Sequence, residues 1–261
     1  MILNDNKEFP FYTFSNLGRY PTIKHFVTSS AGESCADVNL RSTGGVANRR
    51  RLAKAVGFDI DLLTTPEQTH SNNIGIVTTC NMGCGAIDID SRIPNTDALI
   101  TNVPNVCIMI LTADCVPILL YDPNKQAVAA IHAGWRGSAN GIVAKTVEQM
   151  TICYGTNPSD IIAAIGPCIG KCCFEVGDEV VEQFAHQPST IISVPHSAKK
   201  HIDIQLSNKL WLLDSGVSES NIELANCCTK CSGGEFFSHR HNQTLGRIGS
   251  GIVLDTRVDG H

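Results

Sequence analysis

Residues 96–141 hold three apolar runs so close together that they predict a group of neighbouring strands. The runs cover residues 106–111, 116–121 and 127–131. Cys115 and His132, whose side chains can bind a metal or act as nucleophile and base, stand where two of these runs meet polar sequence. Rigid scaffolds often present chemistry at strand ends. Because Asp114 and His132 are costly to bury without partners, this region is predicted to be the functional site.

Length, charge and apolar content narrow the possible classes of protein. The chain has 261 residues, 43% of them apolar and 17% charged, which suits a single domain over residues 1–261 with a sizeable core. Its formal charge of −5 argues against a nucleic-acid binder. The first residues lack the pattern of a secretory signal, and the most apolar window, 106–121, is too short to span a bilayer. We therefore expect a soluble, cytoplasmic protein with no nucleic-acid or membrane partner.

The chain contains twelve cysteines, which is many for its length. In a reducing compartment we expect metal binding, burial or catalysis to account for them, and not a disulfide framework. Cys80 and Cys84 are separated by three residues, a looser spacing than the two-residue knuckle of many zinc sites. A second metal site that combines this pair with Cys227, Cys228 and Cys231 is therefore not favoured.

The remaining sequence alternates between helical and strand-like patterns. Helices are predicted at residues 47–56, 142–154, 176–185 and 203–213, and further strands at 74–77, 161–165 and 252–254. Residues 1–30 are predicted to form edge strands. The alternation occurs twice, with a glycine-rich element in each half, which allows an internal duplication. The expected fold class is α/β, of the mixed α+β kind.

His70, Cys115 and His132 each border an apolar run within a motif of small or polar residues. Imidazole nitrogen and thiolate sulfur together suit Zn²⁺, and three protein ligands leave a fourth position open, as in catalytic zinc sites. The three residues lie far apart in sequence, and no compact motif such as HExxH is present. A metal-free pair, with Cys115 as nucleophile and His132 or His70 as base, fits the same residues.

Five segments carry a resemblance to a known family. They are QTHSNNI, DALITNVPNVCIMILTADCVPILLYDP, AAIHAGWRGSANGIV, IGPCIGKCCFEVGDEV and FFSHRHNQTLGR. The series resembles the motifs of the YfiH-type laccase-domain family, whose members are described as polyphenol oxidase, peptidoglycan editing factor or purine nucleoside phosphorylase. The motifs stand in family order over residues 68–247, and the pair LTADC and HAGWRG is highly specific. The resemblance implies one layered domain of mixed β-sheets flanked by helices.

The same resemblance implies a function and a metal site. It assigns one zinc ion to His70, Cys115 and His132, which would also be catalytic. It implies phosphorolysis of adenosine, inosine, guanosine and methylthioadenosine, and deamination of adenosine, so purine nucleosides and phosphate are the expected small-molecule partners. Asp114 is the carboxylate closest in sequence to these ligands, and is a candidate either to carry the proton in deamination or to support the metal ligands.

Phosphorolysis requires an anion held against the ribose, a task for which arginine is well suited. The candidate arginines are Arg136, Arg240 and Arg247, with Arg49 behind them. For each, the alternative is a structural ion pair. Asn39 in DVNLR stands where the family has Ser-Leu-Asn-Leu-Gly, and is a candidate to bind substrate. Cys168, Cys172 and Cys173 match the family's Gly-Pro-Cys element and are expected to pack around the pocket.

Three other functions stay open at this point. A copper-dependent polyphenol oxidase of the laccase type needs about ten histidines in repeated His-x-His pairs, whereas this chain has nine histidines and a single such pair, at His239 and His241. A metal-free cysteine hydrolase or amidase acting on peptidoglycan-type substrates would use Cys115, and alkylation but not chelation would block it. A non-enzymatic zinc-bound scaffold would need a closed fourth ligand, and no obvious one is present.

Overall fold

The computed structural model describes residues 1–6, 8–30, 37–41, 44–195, 199–242 and 246–255. Its strands are β1 (Ile2–Asn4), β2 (Phe11–Thr13), β3 (Ile23–Thr28), β4 (Leu63–Thr64), β5 (Ile74–Ile76), β6 (Ala98–Thr101), β7 (Cys107–Thr112), β8 (Val116–Asp122), β9 (Ala127–Ala133), β10 (Ile162–Ile165), β11 (Glu175–Val176), β12 (Ile191–Ser193), β13 (Lys200–Ile202), β14 (Ile222–Leu224) and β15 (Ile248–Leu254). The helices are α1 (Gly45–Val56), α2 (Trp135–Ala139), α3 (Ile142–Tyr154), α4 (Asp178–Val181), α5 (Ile204–Asp214) and α6 (His239–Asn242). The expected mixed α and β class is confirmed.

Most strands belong to two six-stranded mixed sheets. The first has the order β1-β2-β3-β15-β7-β4 and the second β14-β10-β8-β9-β6-β5, while β11, β13 and β12 form a small third sheet. Most neighbours are antiparallel, but β4 with β7, β5 with β6 and β10 with β14 run parallel. Because β15 lies between β3 and β7, the first sheet joins distant parts of the chain.

The core shows that the two large sheets are stacked between helices. Ile108 of β7 and Leu119 of β8 share one apolar cluster, so the sheets pack on each other through these faces. The opposite face of β7 packs with Leu52 of α1, and the opposite face of β8 with Val143 of α3 and Leu212 of α5. Strands buried on both faces read as continuous apolar runs, which is why the central sequence shows no alternation.

Several predicted helices are found with small changes. The helix predicted at 47–56 is α1, which ends at Gly57 in the left-handed conformation, and the helix predicted at 142–154 is α3. The helix predicted at 176–185 is shorter, because α4 is followed by a 3₁₀ turn. Among the described residues, no helix combines the length and apolar character that crossing a bilayer requires.

The strand predicted at 252–254 is longer than expected, since β15 begins at Ile248. Its first half includes Gly249 and Gly251, and glycine is a weak signal for a strand. A Cβ atom at Gly251 would lie 2.5 Å from Cζ of Phe26. Close packing across the sheet therefore requires glycine here, although the local sequence suggests a loop.

Candidate metal and catalytic site

The register of the second sheet brings Cys115 and His132 together. In the antiparallel pair β8 and β9, Pro117 is opposite His132, so Cys115, just before β8, lies beside the histidine. His70 lies in an exposed turn before β5, with a left-handed φ of 60°. One ligand atom from each of the three residues lies within 4.8 Å of the other two. The sequence therefore named three residues that the fold does bring together.

Within this group the three side chains are in contact. Sγ of Cys115 lies 3.8 Å from Nε2 of His70, and the rings of His70 and His132 meet edge to face with centroids 4.9 Å apart. Burial increases from exposed His70 through half-buried Cys115 to buried His132. The group is thus open to solvent on the His70 side and fixed to the core on the His132 side.

Asp97 is a buried residue of this site that sequence reasoning missed. Its Oδ1 lies 2.7 Å from Nδ1 of His132, which leaves Nε2 of that ring for a metal or a proton. It also accepts hydrogen bonds from the backbone N–H groups of His70 at 3.1 Å and Ser71 at 2.7 Å. Although burial opposes ionisation, the bonds from His132 and Ser71 lower the pKa of Asp97 to about 2. One carboxylate therefore orients two of the three candidate ligands.

The only sequence signal for Asp97 is its place directly before the apolar run of β6. Ala98 pairs with Ile131 of β9, and this register sets Asp97 beside His132. The backbone N–H of His132 also donates to the carbonyl of Asp97 at 2.7 Å. A burial penalty for His132 indicated that a partner must exist, but only the strand pairing identifies it.

Gln68 attaches the His70 turn to the first sheet. Its side-chain amide donates to the carbonyl of Leu111 at 2.7 Å and accepts from the N–H of Leu111 at 2.8 Å. This two-bond contact imitates the pairing of a further strand residue with β7. The glutamine of the Q-x-H motif therefore positions the turn that carries the histidine.

Within this group, the interaction of Cys115 with His132 favours a charged thiolate–imidazolium pair. Although burial favours the neutral thiol, the charge and hydrogen bond of His132, with a further bond to His70, lower the pKa of Cys115 to about 6. Burial likewise favours neutral His132, but the Cys115 thiolate and the Asp97 carboxylate raise the pKa of His132 to about 9. A thiolate is both the form that binds zinc and the form that attacks electrophiles.

The group lies in the wall of a cavity of about 550 Å³, within the range of small-molecule sites. Apolar surface comes from Ile169 and Phe174, and polar side chains of several predicted site residues complete the wall. These polar residues are Asn39, Arg49, Asp114, Arg240 and Arg247. Most of the residues that were predicted from sequence to bind substrate therefore line this cavity.

The four candidate arginines differ in their surroundings. Arg240 is exposed, lies 5.5 Å above the ring of Phe174 and donates to the carbonyl of Glu175 at 3.1 Å. Arg247 lines the cavity and donates to the carbonyl of Gly246 at 2.8 Å. Arg136 is exposed outside the cavity lining and stacks on Trp135 at 4.2 Å. The cavity geometry favours Arg240 and Arg247 over Arg136 as anion contacts.

Arg49 and Asn39 are both buried at the edge of the cavity. Arg49 is 1% exposed, and its Nε donates to the carbonyl of Val38 at 2.7 Å while Nη1 donates to that of Ala86 at 2.9 Å. Burial lowers the pKa of Arg49 to about 10. Oδ1 of Asn39 accepts from the backbone N–H of Arg41 at 3.1 Å. Through Arg49 these bonds fix the 37–41 segment to α1 and to the loop at Ala86, and substrate contact by either residue stays a prediction.

Asp114 has a left-handed φ of 84° and a carboxylate that is bonded on both oxygens. Oδ1 accepts from Oγ1 of Thr229 at 2.6 Å, and Oδ2 accepts from the backbone N–H of Arg240 at 2.7 Å. Asp114 thus connects the TADC turn to the two C-terminal segments of the cavity wall. These two hydrogen bonds favour a positioning role for Asp114. Its role as a proton carrier in deamination stays a prediction.

Gly134 lies where the His70 ring crosses the backbone after β9, and Gly134→Ala is expected to weaken metal binding. A Cβ atom there would lie 2.7 Å from Cδ2 of His70 and 3.4 Å from Sγ of Cys115, so the imidazole must move. Loss of an outer interaction that orients a metal ligand typically costs about 10–100-fold in metal affinity, and we expect displacement of the His70 ring to cost at least as much. Competition with a zinc chelator measures this change. Gly18→Ala, which meets nothing within 4 Å, is the control, and equal affinities in both variants would contradict the prediction.

Comparisons with known proteins show what this chain is similar to. A family model described as multi-copper polyphenol oxidoreductase laccase matches residues 34–255. A purine nucleoside phosphorylase of Bacteroides thetaiotaomicron is 37% identical over 257 residues, covering 92% of this chain and 95% of the relative. An adenosine deaminase from an unknown prokaryotic organism is 39% identical over 212 residues, covering 78% and 79%.

A crystal structure of the Bacillus licheniformis hypothetical protein YfiH superposes with a TM-score of 0.88 at 29% identity. The match covers 97% of this chain and 99% of that one, so the fold is shared over nearly its full length. The chain therefore belongs to the multi-copper polyphenol oxidoreductase laccase family, and the resemblance to YfiH-type laccase-domain proteins is confirmed.

Proposed function

We propose that the protein is a zinc-dependent purine nucleoside phosphorylase with adenosine deaminase activity. The observation that carries the proposal is the group of His70, Cys115 and His132, with ligand atoms within 4.8 Å of one another in the wall of a nucleoside-sized cavity. Relatives named purine nucleoside phosphorylase and adenosine deaminase support the same reactions. Adenosine, inosine, guanosine and methylthioadenosine are the substrates we propose to test.

The donor set of this group fits zinc. Two imidazoles and one thiolate form a three-ligand set of the catalytic kind, with a fourth position left for water or substrate. The hydrogen bond that Nδ1 of His132 donates to Asp97 is the carboxylate–histidine pairing that commonly supports a zinc ligand. When bound, Zn²⁺ supplies Lewis-acid activation of water or of a substrate oxygen. The protein contributes the preset ligand orientation.

The remaining cavity residues suit a nucleoside and an anion. Phe174 and Ile169 offer an apolar surface to a purine base, and Asn39 offers an amide to its polar edge. Arg240 and Arg247 lie in the same cavity and can form forked hydrogen bonds with phosphate. Asp114 holds the backbone of Arg240 and so couples this anion site to the TADC turn.

A cysteine hydrolase is the second candidate, and one observation favours it. Cys115, His132 and Asp97 form a chain of contacts in which a thiolate faces an imidazolium held by a carboxylate. Cysteine nucleophiles are activated in this way. The two functions differ in their inhibitors, because chelation would inactivate the zinc enzyme whereas alkylation alone would inactivate the hydrolase.

A laccase-type copper oxidase is less well supported. Among the described residues, two groups could hold a metal ion, namely His70, Cys115 and His132, and a set of four cysteines. His239 and His241 are exposed on α6 and belong to neither group. This falls short of the repeated histidine pairs that a type 1 copper and a trinuclear cluster need. Copper bound in the His₂Cys group is the remaining form of this alternative.

Product analysis combined with metal analysis tests the proposal. Purified protein is incubated with adenosine, with and without phosphate, after treatment with a chelator, an alkylating reagent or neither. We expect adenine and ribose 1-phosphate only when phosphate is present, inosine without it, and loss of both after chelation. If the untreated protein supplied with Zn²⁺ forms neither product, or if activity survives complete chelation, the proposal is overturned; inactivation by the alkylating reagent but not by the chelator would favour the cysteine hydrolase.

Arg240→Ala is expected to impair phosphorolysis more than deamination. Loss of one charged hydrogen-bond donor costs about 1.5–3 kcal/mol, so we expect the KM for phosphate to rise about 10–100-fold. Deamination uses no phosphate and should change much less. Steady-state kinetics of the two reactions provide the measurement, with Arg50→Ala on the exposed face of α1 as the matched control. An equal loss of both activities would assign Arg240 a structural role.

A further inference from the structure

A second group of potential metal ligands lies outside the His₂Cys site. Sγ atoms of Cys172, Cys173, Cys228 and Cys231 all lie within 4.8 Å of one another. The first pair follows β10, and the second pair follows β14. The group differs from the combination considered from sequence, because Cys80, Cys84 and Cys227 are not part of it. Cys35 lies outside the described residues.

The parallel pairing of β10 with β14 explains why these loops meet. Beyond the strands the pairing continues as a bridge between Cys168 and Cys228. The N–H of Cys168 donates to the carbonyl of Cys227 at 3.3 Å, and the N–H of Thr229 donates to the carbonyl of Cys168 at 2.9 Å. The backbone therefore holds both loops together before any metal is added.

The sulfur positions approach those of a tetrahedral zinc site. With Zn–S bonds of about 2.3 Å, tetrahedral geometry sets the sulfurs about 3.8 Å apart. Sγ of Cys172 and Sγ of Cys231 are already separated by 3.8 Å. Cys228 and Cys231 have the two-residue spacing of a zinc knuckle, and the N–H of Gly170 donates to Sγ of Cys228 at 3.2 Å. Such N–H groups stabilise thiolate ligands.

Apolar packing does not explain these residues. Cys172 and Cys231 are exposed and Cys173 and Cys228 half-buried, unlike fully buried Cys107. No disulfide joins any of the eleven cysteines that the structure describes. A bond between Cys172 and Cys231 would use two sulfurs and leave the convergence of the others unexplained. Four soft donors without a carboxylate favour a thiophilic ion over calcium or magnesium.

We infer that Cys172, Cys173, Cys228 and Cys231 bind a Zn²⁺ ion in a closed, four-thiolate structural site. The ion would join the two loops that complete the cavity. Thr229, between the last two ligands, holds Asp114 at 2.6 Å, and Phe174 directly follows Cys173 and contacts Arg240. The site thus stabilises the cavity wall without entering the chemistry. The inference stands whether or not the proposed reaction is correct.

Zinc stoichiometry of the full chain, purified under reducing conditions, tests the inference. We expect two zinc ions per chain in the parent protein, one in Cys231→Ser, one in Cys115→Ser and two in Cys153→Ser, which alters an exposed cysteine on α3. Cys231→Ser should also unfold at a lower temperature than Cys153→Ser, because bound metal stabilises the folded state. A zinc content in Cys231→Ser equal to that of the parent protein, or no zinc in Cys115→Ser, would overturn the inference, whereas a parent protein that loses its single zinc only in Cys231→Ser would contradict the proposed function alone.

A second measurement uses the parent protein, and the one variant compared with it leaves the four cysteines intact. Cobalt substitution of a four-thiolate site gives intense thiolate-to-cobalt charge-transfer bands, stronger than those of a site with one thiolate. We expect these bands to remain in Cys115→Ser. Mapping of alkylated peptides should show all four cysteines protected by metal and modified after chelation. Weak bands, or a Cys172–Cys231 disulfide in the metal-free and metal-treated protein alike, would contradict the inference.

Discussion

Cys115→Ala is expected to abolish zinc binding at the His₂Cys site and to reduce phosphorolysis and deamination to background. The residue contributes the single thiolate of the group, lies 3.8 Å from Nε2 of His70, and has a pKa lowered to about 6 by its histidine neighbours. Two imidazoles alone bind zinc much more weakly than the three-ligand set. Metal analysis after dialysis and assays with adenosine measure both effects.

Cys153→Ala is the matched control, since Cys153 is exposed on α3 and belongs to neither metal group. It should retain zinc and activity. The Cys115→Ala protein should unfold at nearly the parent temperature, which would separate loss of chemistry from loss of fold. Full activity in a Cys115→Ala sample would exclude both the zinc enzyme with this ligand and the cysteine hydrolase.

Asp97→Asn is expected to reduce metal affinity and activity by about 10–100-fold, the usual effect of losing a carboxylate behind a zinc-bound histidine. The asparagine keeps the size of the side chain but loses the charge that faces Nδ1 of His132 at 2.7 Å. It also offers one acceptor oxygen where the carboxylate offers two to the N–H groups of His70 and Ser71. Chelator competition and kinetics measure the result.

The same variant should lower the free energy of unfolding by about 1–3 kcal/mol, because it leaves buried donors without their acceptor. The pKa of Asp97 is lowered to about 2 from an ordinary value of 3.8. The carboxylate therefore stabilises the fold fully above pH 3.8 and progressively less as the pH falls towards 2. Urea unfolding over this range, with exposed Asp90→Asn as the control, tests the sign. Stability of Asp97→Asn equal to that of Asp90→Asn would contradict it.

Local sequence was sufficient to predict the helices and strands whose pattern is contained in a contiguous stretch of residues. The helical period of 47–56 and 142–154 predicted α1 and α3, and the central apolar runs predicted β7, β8 and β9. The types of donor atom in His70, Cys115 and His132 allowed either a metal site or a metal-free Cys/His pair, and the family resemblance favoured zinc. These predictions depend on side-chain period and chemistry, which a contiguous stretch encodes.

Other features required the tertiary structure because they depend on strand register between distant segments. The pairing of β6 with β9 identifies Asp97 as the partner of His132. The fold likewise places Arg136 outside the cavity lining and Arg49 among backbone carbonyls. β-Propensity does not predict a glycine-rich strand such as β15. Its glycines are required by close packing against neighbouring strands, which the local sequence does not reveal.

The cysteines show this division most clearly. From sequence, Cys80, Cys84, Cys227, Cys228 and Cys231 were the combination considered for a second metal, and Cys172 and Cys173 were expected to pack around the pocket. The parallel pairing of β10 with β14 instead sets the loop that carries Cys172 and Cys173 beside the loop that carries Cys228 and Cys231. Sequence by itself determined which residues can bind a metal and where the strongly periodic helices and the apolar strands lie. Only the tertiary structure decided which donors meet, because a ligand set is a property of distances between segments remote in the chain.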